Sequence, residues 1–397
     1  MQRRTSKRIF VICGFPFPVG YSGTNRIIAY CKGLIEYGYD VKVLVFRKTE
    51  SFDKVTNTKK IGCYHGIEYR YPAKRIIKSK YKIMILFEYI IDLLKTILDL
   101  IKENKNKQID TIIISTDNPF IVLLFSWASA YAKIKKIILI VDEYPKPIRY
   151  GGKKISVFAE YGFRLAFKRI NGFISITEYI LNYYKKITNN AFPYLIVPII
   201  VENERFNHFK PKKENFITYI GNLEIEKDGL EILIKSYYRL NQININYRLI
   251  LIGDGKDKEK LIALTKRLNI CNKVIFKGDM SREMVEKYLS ISKILCLSRQ
   301  YSKRAEGGLP TKLGEYLSSG VPVVVTKVGE IPKYLRHKEN AYLAEPDDCD
   351  DFSQQLLEVI NNYEEAVEIG KRGRNLALKE FDYHHQSGRI VHFLNSL

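Results

Sequence analysis

Residues 306–325, EGGLPTKLGEYLSSGVPVVV, set a glycine-rich turn, a helix carrying a carboxylate and an apolar strand in succession, the order of a ligand-binding βαβ edge. Gly307 and Gly308 carry no side chain, so a ligand could approach their backbone N–H groups, and Thr311 fits the N-cap of a helix beginning near Lys312. Such a helix start attracts an anion. Glu315 is expected about one turn into the helix, Gly320 at its end, and Val321 to Val325 as a buried strand. A glutamate buried there needs hydroxyls or cations to bond. Taken alone, Gly307-Gly308-Leu309-Pro310 reads equally as a plain tight turn and Glu315 as an exposed helix residue.

The preceding sequence decides between these. Residues 219–233, YIGNLEIEKDGLEIL, read as a strand end, a glycine turn and a helix start, with Lys227 at the turn. Residues 248–255, RLILIGDG, are an apolar strand closed by Gly-Asp-Gly; residues 274–278, VIFKG, and 294–298, ILCLS, are two more strands. Helical patterns separate them. Strands alternating with helices imply right-handed crossovers and a parallel sheet, whose ligands sit at the carboxyl ends of the strands.

The first half repeats the pattern. Strands are predicted at Arg8 to Cys13, Asp40 to Phe46, Asp110 to Ser115, Lys136 to Val141 and Phe173 to Ile176, and helices at Asn25 to Tyr37, Tyr81 to Lys102, Pro119 to Tyr131 and Ser156 to Arg169. A length of 397 residues with 46% hydrophobic content fits a globular chain of two or three domains. Pro198, the polar run 202–210, Pro211 and Lys212-Lys213-Glu214 interrupt the patterning before a strand at Phe216, as an interdomain linker does.

These motifs resemble glycosyltransferase family 4. The donor half is carried by Tyr219-x-Gly221-Asn222-Leu223-(x)3-Lys227-Asp228-Gly229, Gly253-Asp254-Gly255, Gly278 and EGGLPTKLGE at 306–315. Residues 14–38, GFPFPVGYSGTNRIIAYCKGLIEYG, resemble that family's opening strand end, glycine loop and first helix, and 197–202, VPIIVE, its interdomain segment. The likeness spans nearly the whole chain.

The resemblance implies an α/β protein of the GT-B class, two Rossmann-like domains with parallel sheets facing a central cleft. Residues 1–200 would bind the acceptor, 201–215 form the linker, 216–380 bind a nucleotide-sugar, and 381–397 return toward the first domain. The implied reaction moves a sugar from a nucleoside-diphosphate sugar, with uracil or guanine as base, to an acceptor hydroxyl with retained anomeric configuration. A departing diphosphate needs positive charge and oriented N–H donors. Lys227 supplies the first, assisted by amides at Thr311, Lys312 and Leu313 and by the loop with Gly20, Ser22 and Gly23. Glu306 is the expected sugar-contacting carboxylate, with Gly307, Gly308 and Leu309 beside it; Glu315 is expected on the ribose. The base is expected between Gly253-Asp254 and Lys277-Gly278.

Three departures from the family pattern stand out. Asn222 occupies the place after Gly221 where an arginine is usual, and asparagine lacks the fixed charge and forked donors of arginine; Arg299, Lys303 and Arg304 are candidate substitutes. Glu306 and Glu315 are nine positions apart rather than eight, so either the loop is expanded or Gly307 holds the usual position. The expected acceptor-domain histidine is not evident, because Ser115-Thr116-Asp117-Asn118 stands in that region. Asp117, Asn118, Asp142 and Glu143 are candidate acceptor or sugar contacts, or ordinary strand-end residues. No cofactor or metal is required: the cluster Asp347, Asp348, Asp350 and Asp351 precedes a helix near Phe352 and reads as capping. The alternatives are a catalytically inactive nucleotide-sugar sensor and a GT-B nucleotide-sugar epimerase.

Charge is uneven. Of a net +22, residues 1–200 carry +19. Much of it brackets residues 81–101, YKIMILFEYIIDLLKTILDLI. Glu88, Asp92, Lys95 and Asp99 argue against a bilayer crossing; an interfacial helix on an anionic membrane fits, and so does a half-buried amphipathic helix with solvated flanks. No recognised nucleic-acid-binding module accompanies the charge, so no specific nucleic-acid partner is expected. The six cysteines lack metal spacing and read as small buried residues. The basic start does not read as a signal peptide. The expected location is the cytoplasm, peripheral on the inner face of the membrane, with a glycan or lipid-linked acceptor.

Overall fold

The computed structural model describes residues 7–20, 22–53, 55–206 and 212–397. The basic start 1–6 and linker residues 207–211 lie outside them. The chain divides into two compact units, 1–198 with 383–397, and 199–382.

The first unit opens with Arg8–Cys13 (β1), Ser22–Glu36 (α1), Asp40–Val45 (β2), Ile61–Tyr64 (β3) and Ile67–Arg70 (β4). Lys82–Asn106 (α2), Thr111–Ser115 (β5), Pro119–Tyr131 (α3), Lys136–Val141 (β6) and the single turn Lys146–Arg149 (α4) follow. Val157–Phe167 (α5), Gly172–Ser175 (β7), Glu178–Thr188 (α6) and Tyr194–Ile196 (β8) complete the run. Its sheet has the order β3-β4-β2-β1-β5-β6-β7-β8, parallel except for β3 on β4. Sequences such as IFVIC and KIILIV are buried along nearly their whole length, because a parallel sheet covered on both faces needs apolar side chains on both.

Helix starts follow their local chemistry. The Asn118 side chain accepts from the Phe120 and Ile121 amides ahead of Pro119 at the first helical position, and Ser156 and Thr177 cap α5 and α6 in the same way.

The second unit contains Glu214–Ile220 (β9), Ile225–Asp228 (α7), Leu230–Gln242 (α8), Arg248–Ile252 (β10), Lys258–Arg267 (α9) and Val274–Gly278 (β11). Arg282–Ile291 (α10), Ser292–Leu297 (β12), Lys303–Gly307 (α11), Thr311–Ser318 (α12), Val323–Thr326 (β13) and Ile331–Tyr334 (α13) come next. Tyr342–Ala344 (β14), Cys349–Asn361 (α14) and Tyr363–Glu380 (α15) end it, and Tyr383–Ser396 (α16) belongs to the first unit. The six strands run parallel in the order β11-β10-β9-β12-β13-β14. Each unit therefore has one point where the strand order reverses, between β1 and β5 in the first and between β9 and β12 in the second.

Several expectations are corrected. Thr311 is the first residue of α12 and Pro310 its N-cap: the proline ring fixes an extended approach and the helix starts just after it. Glu306 and Gly307, expected in a turn, instead end the short helix α11, whose N-cap Ser302 accepts from the Ala305 amide. The strand expected from Val321 starts at Val323, because Pro322 has no N–H for a ladder. The helix expected near Phe352 starts at Cys349, capped by Asp348 through the Asp350 and Asp351 amides. Cys63 and Cys271 are exposed, whereas Cys13, Cys31 and Cys296 are buried.

The acidic residues of α2 all point inward. Glu88 pairs with Lys48 at 3.0 Å, Asp99 with Arg70 at 2.7 Å, and Glu103 with both Arg70 and Arg8 at 2.7 Å. Burial alone would raise the Glu103 carboxyl, but hydrogen bonds from Arg70 and Arg8 hold it below its ordinary value. Among the described residues no helix is long and apolar enough to cross a membrane.

Candidate functional site

The reversal between β9 and β12 puts the loops after these strands side by side, and ligands of parallel sheets bind at such a place. The backbone is packed tightly there. The Gly221 amide donates to the Ile252 carbonyl, Leu223 to Asp254 and Gly253 to Gly278, at 2.8–2.9 Å. Gly253 has φ +124° and a Cβ on it would overlap the Gly221 carbonyl, so glycine is required. Gly278, at φ +70°, has open space beside it.

Beneath these turns lies a buried polar cluster. Asp228, 1% exposed, accepts from Lys312 Nζ at 2.6 Å and Tyr219 OH at 2.7 Å. Lys312 Nζ also reaches Tyr219 OH at 2.8 Å, and Arg299 Nε lies 3.7 Å from the other Asp228 oxygen. Burial would raise the Asp228 carboxyl, but Lys312 and Arg299 outweigh it and hold it at about 2. Burial pushes the Lys312 ammonium down while Asp228 draws it back, and nearby Lys227 adds to the lowering. The Arg299 guanidinium also donates to the Lys227 and Gly308 carbonyls at 3.4 and 3.3 Å. One buried anion thus fixes two cations and, through them, the loop that leads into α12.

Lys227 sits in the one-turn helix α7, half-buried, and no ion pair claims its ammonium among the described residues. Asn222 is exposed, and its amide nitrogen donates to Glu224 at 3.1 Å. Of the three candidate cations, Arg299 is committed to Asp228 and Lys303 to Glu306 at 2.8 Å, while Arg304 reaches Glu224 at 3.3 Å. Arg304 therefore shares its carboxylate with Asn222.

At the start of α12 the Leu313 amide donates to the Pro310 carbonyl at 2.9 Å, so the open donors of this helix start are those of Thr311 and Lys312 rather than all three amides. Glu315 faces Arg205 at 3.4 Å, and Arg205 in turn holds Glu286 at 2.6 Å. Arg205 lies in a 3-10 turn, Asn203–Phe206, within the segment expected to be linker; nothing in its local sequence marks it. Leu309 is buried. Asp254 is exposed, with one oxygen accepting from the Gly255 amide, and Lys277 lies over the Tyr288 ring.

In the first unit the loops after β1 and β5 flank the other reversal point. A Cβ on Gly20 would overlap Thr24, whose hydroxyl donates to the Pro16 carbonyl at 2.7 Å, and one on Gly23 would press on the Phe15 ring; Ser22 begins α1. Asn118 is used as the cap of α3. Asp117 and Glu143 are joined through Arg149, with Asp117 at 2.6 Å. Asp142 lies 3.0 Å from the buried Arg26; burial raises its carboxyl and Arg26 opposes that. Arg26 and Arg149 were not anticipated, because their partners arrive only through the sheet topology. Among the described residues no three His, Cys, Asp or Glu side chains gather as a metal site.

Residues 200–376 match the family of glycosyl transferases group 1. An N-acetyl-alpha-D-glucosaminyl L-malate synthase of Bacillus anthracis is 26% identical over 170 residues, 43% of this chain and 42% of the relative. That alignment spans under half of the relative's length. An uncharacterised glycosyltransferase of Haemophilus influenzae is 25% identical over 358 residues, 89% of this chain and 90% of that one. Among solved structures, Anabaena Alr3699/HepE in complex with UDP superposes with a TM-score of 0.74 at 14% identity, covering 98% of this chain and 100% of that one. The sucrose-phosphate synthase of Thermosynechococcus elongatus gives 0.76 at 14% identity, covering 98% of each. These likenesses show the GT-B fold.

Proposed function

We propose, from the match of residues 200–376 to the glycosyl transferases group 1, that the chain transfers a sugar from a nucleoside-diphosphate sugar, UDP- or GDP-linked, to an acceptor hydroxyl with retention. The observation that carries this reading is Lys227, a half-buried ammonium without an ion pair among the described residues, beside the half-buried Lys312 and the open amides of α12. Cations and oriented N–H groups around one point stabilise a departing diphosphate. Lys227 takes the diphosphate, Arg304 stands in for the arginine absent at Asn222, and Glu315 takes the ribose hydroxyls. Glu306 is the sugar-contacting carboxylate, released from Lys303 when donor binds. The base lies by Gly253 and Gly278.

In a front-face transfer the bond from the anomeric carbon to the diphosphate oxygen breaks as the bond to the acceptor oxygen forms on the same face. The acceptor proton passes to the departing phosphate, so no protein nucleophile is needed. The first unit, with Asp117, Asp142 and Glu143, receives the acceptor, a growing cell-surface glycan or its lipid-linked intermediate. The enzyme works peripherally on the inner membrane face, held by the basic flanks of α2, where each lysine or arginine near an anionic leaflet adds about 1 kcal/mol. No cofactor beyond the donor is invoked.

The test is release of nucleoside diphosphate from UDP-, GDP- and ADP-sugars, with and without membrane extract, by wild type, Lys227→Ala and Glu315→Ala. Extract-dependent release that falls in both variants is the expected result. Donor binding without turnover under any acceptor would instead support a sugar-nucleotide sensor, a reading that the exposed Asn222 and the Lys303-bound Glu306 favour.

A further inference from the structure

Right-handed crossovers place α2, α3, α5 and α6 on one side of the first unit's sheet, and α3 packs between α2 and α5. The Phe46 ring joins Tyr89 of α2 to Phe125 of α3, and Gly162 of α5 lets that helix approach Pro119 of α3. The outward sides of these three helices are apolar. On α2, Ile83, Phe87, Ile90, Leu94 and Leu98 recur at helical spacing and are exposed, while the acidic residues of the helix are turned onto Lys48, Arg70 and Arg8. On α3, Phe120, Trp127 and Tyr131 form a second exposed stripe. On α5, Val157 and Phe158 are 80% and 79% exposed, with Tyr161 one turn on.

Single exposed apolar residues are ordinary, but stripes on three adjacent helices are not. The accompanying charge is basic. Lys95 and Lys102 stand exposed on α2, Lys168 and Arg169 follow α5, and the Arg169 guanidinium lies 4.8 Å from the Trp127 ring. Aromatic rings beside exposed cations suit the headgroup level of a bilayer, where rings lie at the apolar boundary and cations meet phosphates. A second copy of the chain would bring the same cations against themselves.

We infer that α2, α3 and α5 together form one docking surface for an anionic lipid bilayer, with the aromatic side chains of α3 and α5 seated in it beside the apolar face of α2. The inference rests on the membrane-peripheral reading above and extends it from one helix to three. It also orients the first unit: the α2, α3, α5 side of its sheet faces the lipid.

Trp127 is the single tryptophan of the chain, so its emission reports on α3 alone. The full-length protein is floated with phosphatidylcholine vesicles with or without phosphatidylglycerol, and Trp127 emission is followed with brominated lipids as quenchers. Binding to the phosphatidylglycerol vesicles with a blue shift and quenching of Trp127 is expected, and Phe158→Ser with Tyr161→Ser, both exposed positions, should lower partitioning roughly tenfold. Flotation without a change at Trp127 would overturn the three-helix surface while leaving attachment through α2. Absence of flotation would overturn both and leave glycosyl transfer, measured by diphosphate release, untouched. A blue shift that grows with protein concentration without vesicles would assign the face to a second copy and overturn the proposal.

Discussion

Asp228 governs the candidate donor site although it is too deep to touch a ligand. Replacing it by Asn leaves Lys312 and Arg299 near an uncharged group, and breaking a buried pair in this way costs about 3–5 kcal/mol. The Asp228→Asn variant should show that loss as a lower denaturant midpoint of the second unit. Acid should have a related effect on wild type. The Asp228 carboxyl is held at about 2 against an ordinary 3.8, so its contribution is complete above pH ~4 and disappears as pH falls through ~2. The difference amounts to about 2 kcal/mol, and the stability of Asp228→Asn should be flatter over that window. A second residue-scale prediction concerns Arg304, which reaches Glu224 beside Asn222. Hydrogen bonds to charged groups are worth about 1.5–3 kcal/mol. Arg304→Ala should therefore weaken donor binding by at least about tenfold in calorimetric titration, and adding Asn222→Arg should recover it. An unchanged affinity would exclude Arg304 from the diphosphate site.

At the scale of elements, the site depends on backbone approaching backbone. Gly253→Ala drives a methyl into the Gly221 carbonyl at φ +124°, and a methyl on Gly221, at φ +158°, meets Lys312 Nζ and Tyr219 OH, both held by Asp228. The first substitution should cost about 1–3 kcal/mol and lose donor binding. Gly221→Ala should also lower stability, through the Asp228 pairs that it displaces; an unchanged melting temperature would contradict the close packing of this turn. Such glycine turns were legible in the sequence because their chemistry is local. So were β1, β6 and α3, whose apolar runs are bounded by polar or capping residues. The β3–β4 hairpin was missed: Ile61–Tyr64 is an edge strand without a buried face, marked only by His65 and Gly66, both at positive φ. The arginines were missed for a different reason. Arg205 meets Glu315 across 110 residues and Arg149 meets Asp117 across 32, and no spacing rule connects residues that only the strand order brings together.

At the scale of the whole chain, the last helix belongs with the first unit, so that unit's stability depends on the two ends of the chain. Tyr383 OH donates to Glu36 at 2.9 Å, Lys136 Nζ to the Leu394 carbonyl at 2.5 Å, and Gly172 in β7 leaves room for Phe393 and Leu397. At Gly33 α1 packs directly on α16, since a Cβ there would land inside Ser387. Gly33→Leu should wedge the two helices apart at a cost of about 1–3 kcal/mol. Native-state hydrogen exchange tests this directly, since loss of packing appears as lower protection in the elements that shared it. Amides of α16 and α1 should exchange faster, followed by those of β6 and β7, which α16 contacts through Lys136 and Gly172. Those of β9 and β10 should keep their protection, because these strands belong to the other compact unit. Faster exchange confined to residues 383–396 would mean that α16 only rests on the first unit, and the strands would then owe their stability to their own apolar faces alone.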